Sequence, residues 1–182
     1  MYNNLNEYCD KYKINDSGRK DLIEIFINFW SNNYLSNFYK CNFKDTNNNK
    51  FNCSEQYFMF YKCLTFDSNN KILLTNILNE NDPKKIKQFG RLVPNFNQEI
   101  WNTKKYNIMV DSLSYKFNQN ENLKNKLIKT NNKYLYEASP YDKIWGIGYN
   151  KKTAIKTDIS KYGLNLLGKA LMEIRNNLTN NN

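Results

Sequence analysis

The sequence predicts a mainly α-helical fold, a single domain with a small β element near its N-terminus. Three observations point there. Leu164, Leu167, Leu171, Ile174 and Leu178 recur at alternating spacings of three and four, the apolar stripe of an amphipathic helix. Asp82-Pro83 followed by Gly90 reads as the start and stop of a short helix, with proline at its first position. Short aromatic runs of the kind that form strands are confined to the stretch before Ser54.

Taken in order, residues 1–22 are polar and rich in tyrosine, with Ser17-Gly18 as a break, and read as an N-terminal extension holding one weak helix. Phe26-Ile-Asn-Phe-Trp30 and Leu35-Ser-Asn-Phe-Tyr39 look like short strands. Cys41-Asn-Phe43 and Lys50-Phe-Asn-Cys53 flank Asp45–Asn49, the pattern of a hairpin with a polar loop. Ser54 is a cap for a helix over Glu55 to Leu64. Further helices are expected over Ser68–Leu78, from Pro83 to Gly90, over Gln98–Phe117, and around Leu123–Ile128. The striped helix closes the domain, assigned to residues 23–178, and residues 179–182 are a polar tail.

Length and composition bound the function. A chain of 182 residues with 40% apolar and 15% aromatic content can bury one sizeable core. No apolar run approaches the roughly 18 to 20 residues of a membrane span, and the start, Met1-Tyr2-Asn3-Asn4-Leu5, lacks the blocks of a secretory signal. An intracellular, cytoplasmic protein with no membrane partner is expected. Cys9, Cys41, Cys53 and Cys63 show no Cys-x-x-Cys pairing and read as reduced thiols.

The chain has no histidine. That removes Ser-His-Asp and Cys-His catalysis, zincins and His-x-Glu deaminase sites together. Acid–base work falls to Asp, Glu, Lys, Tyr or Cys. No Walker loop is present, and Gly146-Ile-Gly148 is too short for a dinucleotide fingerprint. The net charge of +10 would steer anionic ligands. Three arginines among 27 basic residues leave 24 lysines, however, and with so much asparagine this is the mark of AT-rich coding. Charge alone is therefore poor evidence for a nucleic-acid partner.

Two stretches concentrate chemistry. Glu137-Ala-Ser-Pro-Tyr-Asp142-Lys-Ile-Trp145-Gly146-Ile-Gly148 holds two carboxylates, an indole and two of only six glycines. Ser54-Glu55-Gln56-Tyr-Phe-Met59-Phe-Tyr-Lys62 places Glu55, Met59 and Lys62 on one helix face, at offsets of four and seven. Burial among aromatics would depress an amine there and raise an acid. Arg91, just past the expected glycine stop, is suited to gripping a phosphate.

Five segments in order resemble the NADAR superfamily, in particular its YbiA-type riboflavin-intermediate N-glycosidases. They are Tyr34-Leu-Ser-Asn-Phe-Tyr39, Ser54–Phe58 with Lys62, Pro83–Arg91, Lys133-Tyr-Leu-Tyr-Glu137 through Gly148, and Gly163–Arg175. Two departures stand out: Gln56 sits where the family usually has histidine, and Tyr34 where it usually has proline.

The resemblance implies a YbiA-like fold and hydrolysis of an N-glycosidic bond, with no metal or organic cofactor. The implied substrates are phosphoribosylaminopyrimidines of riboflavin synthesis, split to ribose 5-phosphate and a free pyrimidine. The alternatives are ADP-ribosyl hydrolysis from guanine, nucleic acid entering only as that substrate, or a silent ADP-ribose-binding module. Glu55 and Asp142 are the expected pair of carboxylates, one to stabilise positive charge or activate water and the other to handle the proton, their order left open. Lys62 is the alternative, attacking the sugar carbon in place of water to form a Schiff base. Trp145 would stack on the base, Arg91 would hold a phosphate, and Asn37, Gly146 and Gly148 would bind substrate. Oligomeric state is left open.

Overall fold

A computed structural model describes residues 24–28 and 33–180. The expected N-terminal extension, Cys9, and the end of the first aromatic segment at Phe29-Trp30 lie outside the described residues. The fold is mainly α: seven α-helices and two small two-stranded sheets occur among the described residues. They group into two compact units, one of residues 24–28 and 130–169, the other of residues 33–129 and 170–180.

In the larger unit, β2 (Phe43–Lys44) and β3 (Lys50–Phe51) pair antiparallel as the expected hairpin, Phe43 opposite Phe51. Asp45 closes its loop, accepting from the backbone N–H groups of Asn47 and Asn49, each at 2.9 Å. The preceding segment, Leu35–Tyr39, is a series of turns and not the expected strand. Ser36 competes for its own backbone there, accepting from Phe38 N–H at 3.2 Å.

Helix α1 (Ser54–Phe66) follows. Its cap position is Cys53 with no side-chain cap bond, so Ser54 is the first helical residue and not the cap. Helix α2 (Lys71–Asn79) starts at an Asn70 cap, and α3 (Pro83–Arg91) starts at an Asp82 cap with proline in its first turn. Gly90 does not stop α3; it lies inside the last turn. Helices α4 (Gln98–Asn118) and α5 (Glu121–Ile128) match the expected spans within a residue or two. The core is aromatic around α1: Phe51 meets Tyr57 at 5.0 Å and Phe60 at 5.5 Å, and Phe58 meets Trp101 at 5.0 Å. Trp101 is therefore a core residue, buried to 6% exposure, and no stacking platform.

In the smaller unit, β1 (Glu24–Asn28) runs parallel to β4 (Tyr134–Ala138), with Glu24 opposite Tyr134 and Asn28 opposite Ala138. The sequence pattern did not announce β4, because four of its five residues are buried and strand alternation is lost. Asn165 acts as a substitute strand partner: its side chain accepts from Glu137 N–H at 3.0 Å and donates to the Leu135 carbonyl at 2.8 Å. Tyr136, Ile147 and Ala154 form a small core, against which Tyr149 and Tyr162 pack. Short helix α6 (Lys151–Ala154) and a 3-10 turn (Ile159–Lys161) lead to α7 (Leu166–Asn180). Leu164 precedes α7 and is exposed, while Leu167, Leu171, Ile174 and Leu178 are buried as the stripe requires.

Candidate functional site

Helix α1 brings Glu55 and Lys62 onto one face, as their spacing demands. Glu55 is buried, and its backbone N–H donates to the Asn37 carbonyl at 3.0 Å. That bond ties the turn-rich segment of Asn37 to the first turn of α1. Asn37 Oδ1 is itself buried and lacks a hydrogen-bond partner, as does Ser54 Oγ. Such atoms cost free energy when left unmet, which makes this corner receptive to polar groups.

Lys62 is half-buried. Its Nζ donates to the Gly90 carbonyl at 2.7 Å and lies 4.3 Å from the centre of the Phe96 ring. Gly90 makes this reach available by absence. A Cβ there would overlap the Met59 sulfur, so any larger residue would have to displace the Met59 side chain for α3 to lie this close to α1. Burial pushes the Lys62 amine below the ordinary lysine range, and the Glu55 carboxylate pulls the other way. The result is an amine with a raised neutral fraction beside an acid, the combination a nucleophilic lysine needs.

Gln56 points to a different task. Its Nε2 faces the end of α2, within 2.8 Å of the Ile77 carbonyl and 3.0 Å of those of Leu78 and Glu80. Its Oε1 accepts from Asn52 N–H at 2.7 Å. The amide is committed to capping a helix end, a structural task in place of proton transfer. Arg91 is the last residue of α3, next to Gly90, and exposed.

The other expected residues lie together in the smaller unit. Asp142 Oδ1 accepts from the N–H groups of Ile144 and Trp145, each at 2.8 Å, closing a turn that presents Trp145 half-buried. Gly146 fits because a Cβ would press on the Glu137 and Asp142 carbonyls at 2.8 and 2.9 Å. Gly148 has a φ of +77°, and its N–H donates to the Asp142 carbonyl at 3.1 Å. Both glycines thus have work within the loop itself. Glu137 is buried at the end of β4, its carbonyl accepting from Ser139 and Ile147 N–H.

The structure therefore gathers Asn37, Glu55 and Lys62, with Arg91 beside Gly90, in one unit, and Asp142, Trp145, Gly146 and Gly148 in one loop of the other. Phe96 is absent from the sequence expectations, and Gly90 enters them only as a helix stop, without its contact to Lys62. A glycine inside a helical run, and a lone aromatic in Pro94-Asn-Phe-Asn97, were the available signals.

Comparison with known proteins gives the family and the fold. The NADAR domain family matches residues 25–179. N-glycosidase R617 of Acanthamoeba polyphaga mimivirus is 37% identical over 171 residues, spanning 91% of this chain and 95% of the relative. The chloroplastic riboflavin biosynthesis protein PYRR of Zea mays is 27% identical over 129 residues, 68% of this chain but 19% of that protein. The solution structure of Escherichia coli YbiA superposes with a TM-score of 0.67 at 27% identity, covering 86% of each chain. Fold and relatives define the class: a mainly helical glycosidase hydrolysing N-glycosyl compounds. The chain belongs to the NADAR family. No described helix is long and apolar enough to cross a membrane.

Proposed function

We propose that the protein hydrolyses the N-glycosidic bond of phosphoribosylaminopyrimidine intermediates of riboflavin synthesis, giving ribose 5-phosphate and a free pyrimidine. The observation that carries this is the half-buried Lys62 amine, fixed by the Gly90 carbonyl on the helix face that also bears Glu55. Likeness to the maize riboflavin protein favours this substrate over an ADP-ribosylated base.

In the proposed reaction the neutral Lys62 amine attacks the anomeric carbon of the ribose. The carbon–nitrogen bond breaks, its electron pair leaves on the base nitrogen, and that nitrogen takes a proton. The attached amine then loses a proton as the sugar ring opens to an imine and the ring oxygen gains one. Water adds to the imine carbon and releases the free sugar and the lysine. Substrate and water are consumed; sugar phosphate and free pyrimidine are the only products.

Glu55 is the carboxylate proposed to move these protons, being coupled to Lys62. Asp142 already accepts two backbone hydrogen bonds on Oδ1, so its proposed part is to hold the loop of Trp145, with any proton transfer left to its other oxygen. Arg91 is proposed to hold the phosphate and Trp145 to stack on the pyrimidine. Asn37, Gly146 and Gly148 keep the substrate-binding part implied by the family resemblance.

The test is release of free base from two purified substrates, a phosphoribosylaminopyrimidine and ADP-ribosylated guanine. Turnover of the first is expected. Turnover of the second alone would overturn the substrate, and ligand binding with no base released from either would overturn catalysis.

A further inference from the structure

Phe96 stands in the loop between α3 and α4, and nothing in the family motifs of this chain includes it. Its surroundings give it a defined position. Val93 anchors the loop in the core, and Asn95 turns the chain through a φ of +54° just before Phe96. The Phe96 ring meets Phe66 edge-on at 5.2 Å, and Phe66 packs in turn on Trp101 at 6.1 Å. Phe96, held on Phe66, is nevertheless 41% exposed. One face of the ring is directed at Lys62, whose Nζ lies 4.3 Å from its centre while donating to the Gly90 carbonyl at 2.7 Å.

We propose that Phe96 is a positioning residue for the glycosidase reaction: its ring covers the Lys62 amine against water and, with the Gly90 carbonyl, leaves the amine one open direction. This rests on the assignment of Lys62 as the nucleophile. Two of the surfaces around the nitrogen are then occupied, one by a hydrogen-bond acceptor and one by an apolar ring. With one N–H directed to Gly90, the lone pair of the neutral amine must lie in what remains.

The ring acts on the amine in two opposing ways. A π face attracts the ammonium form, and apolar cover penalises that same form. Phe96 lies against the amine at 4.3 Å and is part of what buries it. Removing the ring opens that side to water, which solvates the ammonium form, so Lys62 should become more basic.

The test is an NMR titration of the lysine side-chain carbons, with the Lys62 signal assigned by its loss in Lys62→Arg, run on the unsubstituted protein, Phe96→Ala and Phe96→Tyr. Phe96→Ala should raise the Lys62 midpoint. The rising limb of its pH–kcat/KM profile should move by the same amount. Phe96→Tyr should restore both, because it returns an aromatic cover of similar shape. An unchanged or lowered midpoint in Phe96→Ala, in an enzyme that loses turnover with Lys62→Arg, overturns the part assigned to Phe96 alone. Full turnover by Lys62→Arg overturns Lys62 as nucleophile, and with it any catalytic meaning of the ring, even where the midpoint moves.

Discussion

Lys62 reaches the Gly90 carbonyl at 2.7 Å because position 90 carries no side chain to hold α3 away from α1. The contact joins a packing fact to a chemical one: the glycine that closes the helix pair also supplies the acceptor that orients the amine.

Gly90→Ala should therefore fail in a particular way. The new methyl would overlap the Met59 side chain, so stability should fall by about 1 to 3 kcal/mol, as for overpacked cores. In a Met59→Ala background the same Gly90→Ala change should cost less. Urea midpoints of the four proteins in the cycle check this; additivity of the two changes would contradict it.

Glu55→Gln should lower turnover by a factor on the order of 100 or more, as for loss of acid–base help. It should also shift the pH profile. Glu55 raises the affinity of Lys62 for its proton, so its removal should lower the Lys62 midpoint and move the rising limb to lower pH. A limb that stays in place would put the two groups out of electrostatic contact.

Gln56→Ala should destabilise without disabling. Truncation strips the amide from the end of α2 and leaves its carbonyls and the Asn52 N–H unmet, a cost of about 1 to 3 kcal/mol. Since Gln56 is committed to that helix end, kcat/KM of the folded variant should stay within a few-fold. A loss on the scale of Glu55→Gln would return the position to the chemistry.

Lys116 offers a prediction about pH and stability. It is fully buried, donates to the Ser36 carbonyl at 2.9 Å, and burial pushes its amine down to about 8 from the ordinary 10.5. Between those values the unfolded chain binds more protons than the folded one, so stability rises as pH climbs from about 8 to 10.5 and is lowest below 8. Lys116→Met should lack that rise. Urea midpoints at either end of the window measure the difference; equal slopes in the two proteins would contradict it.

Much of the fold was legible in the sequence, for local reasons. The stripe of α7, the Asp82-Pro83 start of α3 and the polar hairpin loop all depend on residues close in sequence. What escaped depends on distant partners. β4 is defined by pairing with β1, more than a hundred residues away, and by an asparagine from position 165. The segment at Leu35–Tyr39 has strand composition, yet its Ser36 and Asn33 side chains bond the local backbone and bend it into turns. At the site, Glu55 and Lys62 were legible because helical spacing alone puts them on one face. Phe96 and the Gly90 carbonyl were not, because they arrive from another helix and its loop, and backbone acceptors leave no trace in a sequence.

Whether Lys62 is the nucleophile is decided by borohydride reduction during turnover of a phosphoribosylaminopyrimidine, followed by mass spectrometry of the peptide carrying Lys62. A reduced pentose phosphate adduct is expected on Lys62 in the unsubstituted protein and none in Lys62→Arg, with turnover lost in step. Normal turnover by Lys62→Arg, with no adduct on the unsubstituted protein, would contradict a nucleophilic Lys62 and leave direct attack by water.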